Sequence, residues 1–340
     1  MDSAGRLIER QVHERLEARL LRDTETPLVV GLSGGGDSVA LTLLADRWAR
    51  AAGRPLILVT IDHDLQSQSK AWTDFCARFA AGLGRPFHAM LWTGDKPRTG
   101  LPAAARRARH RLLAQAAHDV GASTILLGHT ADDRLESEAM RQEGATTPDP
   151  HEWAPSPVWP EGRGLFILRP MLGIRRLELR DWLTGQGESW IEDPANANLA
   201  YARARARSTI TRHDNSPYID PPPMALAAKA IQQDGVITLS RGNLRQATTG
   251  DAARFVAMAA VCAGGGERRP AGSRIERAVE ALRDAEPVTT TLAGARIEAD
   301  DREIRFYREA GEAARGGLPS IITVPDLAEV WDGRFEIAAR

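Results

Sequence analysis

Leu28-Val29-Val30-Gly31-Leu32-Ser33-Gly34-Gly35-Gly36-Asp37-Ser38 is the stretch whose reading decides the fold. Its first half is a short apolar run of the kind that forms a strand buried on both faces of a parallel sheet. Its second half is a glycine turn, and residues 39–52 continue as a helix. Strand, glycine turn and helix in that order make an anion cradle. Glycines let backbone N–H groups approach phosphate oxygens and adopt positive φ. The helix N-terminus adds partial positive charge, and the hydroxyls of Ser33 and Ser38 can donate as well. The spacing Gly31…Gly36-Asp37-Ser38 nearly matches the Walker A pattern, but Asp37 stands where that pattern has lysine. An aspartate repels terminal phosphates unless Mg²⁺ lies between. Ser33, Gly34, Gly35, Gly36, Asp37 and Ser38 are therefore candidate ATP-binding residues. Asp37 is the candidate catalytic and metal-binding group, in a loop unlike those built for γ-phosphoryl transfer.

Outward from this loop the pattern repeats. Further apolar runs lie at 56–62, 87–92 and 124–129, and helical patterns at 7–22, 68–83, 103–120, 131–142 and 175–186. Alternating strands and helices predict an α/β fold with a doubly wound parallel sheet. Ligands of such sheets sit at the carboxyl ends of the strands. Ser33, Asp62, His63 and His129 all fall at strand ends, which points to one crevice. Residues 144–164 are rich in proline and glycine and read as a loop. A break over 213–223 ends in Pro221-Pro222-Pro223 and is the expected linker. This divides the chain into 1–212 and 224–340. The second part is expected to be a smaller, mainly helical domain, with helices at 224–234, 251–263 and 273–284 and short strands near 288–292 and 303–307.

Composition narrows the function classes. With 43% apolar and 26% charged residues, the chain reads as an ordinary soluble globular protein. No apolar run approaches the roughly 20 residues of a membrane-spanning helix. No secretion signal is read at the N-terminus, so a cytoplasmic location is expected. Cys76 and Cys262 form neither a disulfide framework nor a zinc or iron–sulfur motif. The net charge of -1 hides local clusters: Arg106, Arg107, Arg109 and Arg111 have no acid among them, nor do Arg203, Arg205, Arg207 and Arg212. Guanidinium forks suit phosphate, so local charge permits a nucleic-acid partner. Asp133 and Glu136 stand three apart on the 131–142 helix, and Asp132 and Glu136 four apart, so these carboxylates share a face. Such a cluster can hold a cationic substrate or Mg²⁺, or can simply begin a helix where acids are favoured. Arg106 and Arg109 share a face too and can take a carboxylate or phosphate.

Ser-Gly-Gly-x-Asp-Ser after a first strand resembles the N-type ATP pyrophosphatases, the PP-loop family. These enzymes split ATP between the α and β phosphates and adenylate an oxygen of their substrate. Within it, four further segments resemble the tRNA(Ile)-lysidine synthetase family in order and spacing. They are Ile61-Asp62-His63-Asp64-Leu65 followed by Ser69, and Ala103-Ala104-Ala105-Arg106-Arg107-Ala108-Arg109-His110. The others are Gly128-His129-Thr130-Ala131-Asp132-Asp133-Arg134-Leu135-Glu136-Ser137, and Trp190-Ile191-Glu192-Asp193-Pro194-Ala195-Asn196 with Tyr201, Arg203, Arg205 and Arg207 beyond. Arg169-Pro170-Met171-Leu172 is similar to that family's "RPLL". The resemblance spans about residues 25–210.

The resemblance implies a tRNA(Ile) substrate with a CAU anticodon, free lysine, ATP and Mg²⁺. It implies Asp62 and His63 on the adenine side of the ATP pocket, and Arg109, Asp133 and Glu136 in recognition of the amino acid. Arg106, Arg203, Arg205 and Arg207 are the expected tRNA-binding residues. The chain departs from the family pattern at Gln66, Thr130 and Ala204, and carries Gln142-Glu143-Gly144-Ala145 where the family has "RGSG". The alternatives are another PP-loop adenylating enzyme and a degenerate, non-catalytic RNA-binding homologue.

Overall fold

The structure, a computed structural model, describes residues 3–94, 96–97, 99–144, 147, 150–158, 161–162, 164–193, 202–213, 225–233, 236–264, 270–284, 286–309, 329–331 and 335–337. The chain divides into two compact units, one of Met1–Glu143 with Pro150–Ile219 and one of Gly144–Asp149 with Asp220–Arg340. Of the expected linker, residues 214–223 lie outside the described residues, as do Pro194, Ala195, Asn196 and Tyr201.

In the first unit strands and helices alternate: α1 (Ser3–Glu17), β1 (Leu28–Gly31), α2 (Gly36–Ala51), β2 (Leu56–Asp62), α3 (Ser69–Gly82), β3 (Phe87–Leu91), α4 (Leu101–Asp119), β4 (Thr124–Leu126) and α5 (Ala131–Gln142). Then follow β5 (Trp153–Pro155), β6 (Phe166–Leu168), α6 (Arg176–Gly185) and α7 (Ala202–His213). The six strands form one sheet in the order β3-β2-β1-β4-β6-β5. All neighbours are parallel except β5, which runs antiparallel to β6. The chain winds from β1 out to β3 and returns to place β4 on the other side of β1. The switch point therefore lies between β1 and β4, where open α/β sheets bind ligands.

The unalternating strands follow from burial on both faces. Leu28, Val30, Leu58, Leu126 and Leu168 pack on one face with Val12 and Leu16 of α1, Leu41 and Leu44 of α2, and Leu179 and Leu183 of α6. Val29, Val59, Ile125 and Ile167 pack on the other with Leu113, Ala114 and Ala117 of α4. A strand sandwiched in this way has no polar face, so its sequence carries no period of two.

One local expectation is corrected in this unit. Part of the proline-rich 144–164 segment is an edge strand, because Trp153 stacks on Phe166 at 4.8 Å and β5 pairs with β6. The arginines at 203, 205 and 207 sit on helix α7. Alanine and arginine are strong helix formers, and burial of Ala204 and Ala206 fixes the helix on the unit.

The second unit contains α8 (Arg241–Gln246), α9 (Thr249–Gly264) and α10 (Gly272–Arg283). It also contains a five-stranded antiparallel sheet, which the sequence reading anticipated only at two strands. Its order is β7-β8-β11-β10-β9, from β7 (Ile231–Gln233), β8 (Val236–Ser240), β9 (Val288–Leu292), β10 (Ala295–Ala299) and β11 (Glu303–Arg308). A separate ribbon pairs β12 (Glu329–Trp331) with β13 (Phe335–Ile337). The helix expected over 224–234 is not formed. Ala227–Lys229 make a single 3-10 turn, and Ile231 pairs with Thr238 of β8. Strand pairing outweighs the helix propensity of the alanines here. Phe255, Val256 and Ala260 of α9 and Ile275 and Val279 of α10 form a core with Leu239, Ile297, Ile304 and Phe306 of the sheet.

Arg241 ties this unit together. It is fully buried, and its guanidinium donates to the carbonyls of Leu282 (2.9 Å), Asp300 (2.6 Å) and Glu286 (2.7 Å). It thereby satisfies carbonyl groups around the end of α10 that the helix leaves open. Arg241→Met removes these donors and keeps the bulk. We expect it to cost about 3 kcal/mol, read as a lowered urea midpoint for the second unit's transition.

Candidate active site

The glycine turn joins β1 to α2. Ser38 Oγ accepts from the Ser33 N–H (3.1 Å), lies 3.1 Å from Ser33 Oγ and donates to the Gly35 carbonyl (2.8 Å). The two serines thus brace the ends of the loop against each other. Gly34 has φ +82°, a conformation that other residues adopt at a cost. Residues 190–191 lie directly on this loop. Ile191 donates its N–H to the Gly34 carbonyl at 2.8 Å, and a Cβ on Gly34 would stand 2.4 Å from Ile191 Cδ1. The Trp190 ring covers Gly36, and its Nε1–H donates to Glu192 at 2.7 Å. Gly34 is therefore demanded by the protein's own packing. Gly34→Ala is expected to weaken ATP binding by about tenfold or more, as measured by calorimetric titration, because the loop must shift off Ile191.

At the end of β2, Asp62 Oδ1 accepts from the Asp64 N–H at 2.8 Å, which forms a tight turn with Asp64 at φ +49°. His63 meets the Trp92 ring edge-on at 5.8 Å. Its buried Nδ1 has no hydrogen-bond partner. Burial and then Arg109 lower its pKa from the ordinary value, so the ring is neutral at pH 7.

The acids of α5 separate into two roles. Asp132 turns to α6: its Oδ2 accepts from the Arg176 backbone N–H at 2.7 Å, and the Arg175 guanidinium pairs with it at 3.3 Å. Asp133 caps its own helix with Oδ2, which accepts from the Thr130 N–H (2.7 Å) and hydroxyl (2.9 Å). Its other oxygen accepts from Arg203. Glu136 is 1% exposed and receives three guanidinium groups: Arg176 Nη1 at 3.0 Å, Arg207 Nε at 2.8 Å and Arg203 Nε at 2.8 Å. Arg176 bridges outward from here, because its Nε also donates to Asp37 Oδ2 at 2.9 Å. One side chain therefore links the glycine loop to the acids of α5.

The electrostatics follow from this crowding. Burial raises the Asp37 carboxyl above the ordinary value, and Arg176 offsets this only in part. Burial raises Asp133 and Glu136 as well, but Arg203 and Arg176 outweigh it and both end below their ordinary values. Arg109 shows the reverse field. Its Nε is buried with no partner, and burial together with Arg106, Arg203 and Arg169 pulls its pKa down to about 10. His129 accepts from Arg169 Nε at 3.3 Å, and burial and the same arginines push it well below the ordinary histidine value. An acid-lined patch thus adjoins a cation-rich one with an unsatisfied donor. Such a pair suits a ligand with opposite charges at its two ends.

The structure brings Asp37, Asp133, Glu136, Arg203 and Arg207 into contact through Arg176, with Arg109 in the same electrostatic field. Arg205, on the same helix, is exposed. Arg176, which pairs with Asp37, Asp133 and Glu136, is the residue of this cluster that sequence reasoning missed. A signal was present: an arginine in the first turn of a helix opposes the helix dipole, and an unfavourable placement of this kind hints at another duty.

A glycine loop at the switch point of a parallel sheet, with a carboxylate in its first helical turn, defines a PP-loop nucleotide-binding domain, and residues 7–214 match the PP-loop domain family. The U34-tRNA thiolase of Methanococcus maripaludis shares the fold with a TM-score of 0.52 at 15% identity, covering 61% of this chain and 72% of that one. A tRNA(Ile)-lysidine synthase of Caulobacter vibrioides is 49% identical over 97% of this chain and 78% of that relative. Another from Hyphomonas neptunium is 35% identical over 86% of this chain and 84% of that one. The chain belongs to the tRNA(Ile)-lysidine synthase family.

Proposed function

We propose that this protein is an ATP-dependent carbon–nitrogen ligase that joins free lysine to C2 of the wobble cytidine of tRNA(Ile) with a CAU anticodon. O2 of the cytidine attacks the α-phosphorus of ATP, and pyrophosphate leaves. The ε-amine of lysine then attacks C2, AMP leaves with O2, and lysidine results. The observation that carries this reading is the paired charge pattern beside the glycine loop. Asp133 and Glu136 place carboxylates, now held by Arg176, Arg203 and Arg207, where an ammonium can exchange for a guanidinium, and Arg109 offers a buried, unsatisfied N–H to a carboxylate.

Ser33, Gly34, Gly35, Gly36 and Ser38 hold the phosphates in this reading, with Asp62 and His63 on the adenine side. Asp37 is the residue that would hold Mg²⁺. Mg²⁺ commonly takes one or two protein carboxylates and completes its shell from phosphates and water, so one aspartate in the loop fits it. When bound, it would neutralise phosphate charge. The ε-amine must be neutral to attack, and its ordinary pKa of about 10.4 leaves little in that form at pH 7. A neighbourhood rich in guanidinium groups favours the neutral amine.

The wobble base has to leave the anticodon stack to reach such a crevice. Arg106 and the exposed Arg205 are assigned to tRNA backbone contacts. The ion pairs of Arg203 and Arg207 with Glu136 give those two a share in the amino-acid pocket as well. The second unit is assigned to positioning the tRNA by shape and backbone contacts. Among the described residues no helix is long and apolar enough to cross a membrane, and a cytoplasmic location fits a tRNA substrate. Incubating the purified protein with ATP, labelled lysine and a tRNA(Ile) CAU transcript tests the reading. Label in the tRNA, dependent on ATP, is the expected result. A folded, ATP-binding protein that never transfers lysine would leave the degenerate RNA-binding reading in its place.

A further inference from the structure

We propose that Arg176 is a positioning residue that fills the cation sites of both Asp37 and the Asp133–Glu136 pair until Mg·ATP reaches the glycine loop, and so makes lysine binding depend on nucleotide. The inference rests on the lysine-dependent reading above. It begins from charge balance. The carboxylates of Asp37, Asp133 and Glu136 face the guanidinium groups of Arg176, Arg203 and Arg207. Three negative groups meet three positive ones in a site where Glu136 is 1% and Arg176 12% exposed. A lysine ammonium entering this cluster would be a fourth cation. Bringing it in without removing another leaves a buried charge unpaired, which is strongly unfavourable. One guanidinium must leave first.

Geometry selects Arg176. Its Nε stands on Asp37 at 2.9 Å, in the first turn after the phosphate loop, while its Nη1 stands on Glu136 at 3.0 Å. Arg203 and Arg207 reach the acids from α7 instead, Arg207 on the same Glu136 oxygen that Arg176 holds. An incoming polyphosphate therefore meets Arg176 beside the loop, and a guanidinium fork binds phosphate oxygens well. A divalent cation on Asp37 takes over the charge that Arg176 balances there. The backbone of Arg176 stays fixed, because its N–H is held by Asp132 at 2.7 Å. The side chain can thus swing from the acids to the phosphates about an anchored Cα. Its departure leaves Glu136 one positive partner short, and the lysine ammonium restores the balance. Coupling of this kind is reciprocal, so lysine must also tighten nucleotide binding.

Calorimetric titration of lysine, with and without Mg²⁺ and α,β-methylene ATP, tests the proposal on the full chain. For the wild type, nucleotide is expected to tighten lysine binding about tenfold or more. Arg176→Met is expected to bind lysine about tenfold more tightly than the wild type without nucleotide, with less than about twofold further gain when nucleotide is added. Arg176→Lys keeps the charge and is expected to retain a reduced nucleotide dependence; it carries the test should the methionine variant not fold. Nucleotide binding by each variant reports on its folding. Equal nucleotide dependence in all three proteins, or none in the wild type, overturns the proposal. If lysine binds none of them yet still enters tRNA in the transfer assay, the coupling falls and the proposed function stands. If lysine neither binds nor enters tRNA, the function itself falls.

Discussion

Asp37→Ala is expected to lower tRNA-dependent pyrophosphate release by about a thousandfold or more while leaving tRNA binding nearly intact. The asymmetry comes from where Asp37 sits. Its carboxylate is 25% exposed at the start of α2, and its partner Arg176 retains Glu136 and Asp133 when Asp37 is gone. The fold therefore loses one ion pair from a cluster that keeps two carboxylates. The reaction loses the carboxylate closest to the phosphates. Asp37→Asn preserves the shape and should show the same loss, since the amide lacks the charge. The measurement is release of labelled pyrophosphate against a filter-binding titration of tRNA. Parallel loss of both would make Asp37 a structural residue of the loop.

Glu136 is expected to behave in the opposite sense, with a large structural penalty. Glu136→Ala removes the acceptor of three guanidinium groups from a site with 1% exposure. Breaking a buried ion pair from one side typically costs about 3–5 kcal/mol, because the remaining charges stay buried. A fall in the first unit's unfolding midpoint of that size is expected. Glu136→Gln keeps the volume and one acceptor oxygen, so it should fold better. In that variant the lysine KM is expected to rise by about tenfold or more with ATP affinity little changed. A raised ATP requirement with unchanged lysine KM would remove Glu136 from the amino-acid pocket.

The same acids give stability a pH dependence with a definite sign. Burial opposes ionisation of Asp133 and Glu136, but the arginines win, so both folded pKa values lie below the unfolded ones. Their contribution is complete above the unfolded values of about 4 and is lost as pH falls through the folded values. Asp37 is raised by burial, so its contribution runs the other way and fades as pH rises through its folded value. Acid unfolding of the first unit should therefore set in below about pH 4, and should lose steepness in Glu136→Gln.

Much of this molecule was legible in order of sequence. Apolar runs at 28–33, 56–62 and 124–129 announced buried parallel strands, because a strand covered on both faces needs no polar positions. The turn from Ser33 to Ser38 announced the junction of β1 and α2, because its requirements are local: small residues, two hydroxyls and a helix start. The 224–234 stretch misled, because pairing between Ile231 and Thr238 decides its conformation and alanine propensity does not.

What the sequence determined by itself was the family and the fold, because each depends on near neighbours in the chain. What only the tertiary structure decided was how charges meet across long separations. Arg176 reaches Asp37 across 139 positions and Glu136 across 40, and Arg203 reaches Asp133 across 70. Ile191 presses on Gly34 in the same manner, so packing from far along the chain also requires a glycine there. No local pattern encodes such pairings. They arise because the β1–β4 switch point brings α2, α5, α6 and α7 together, and because buried carboxylates there must find cations to remain charged.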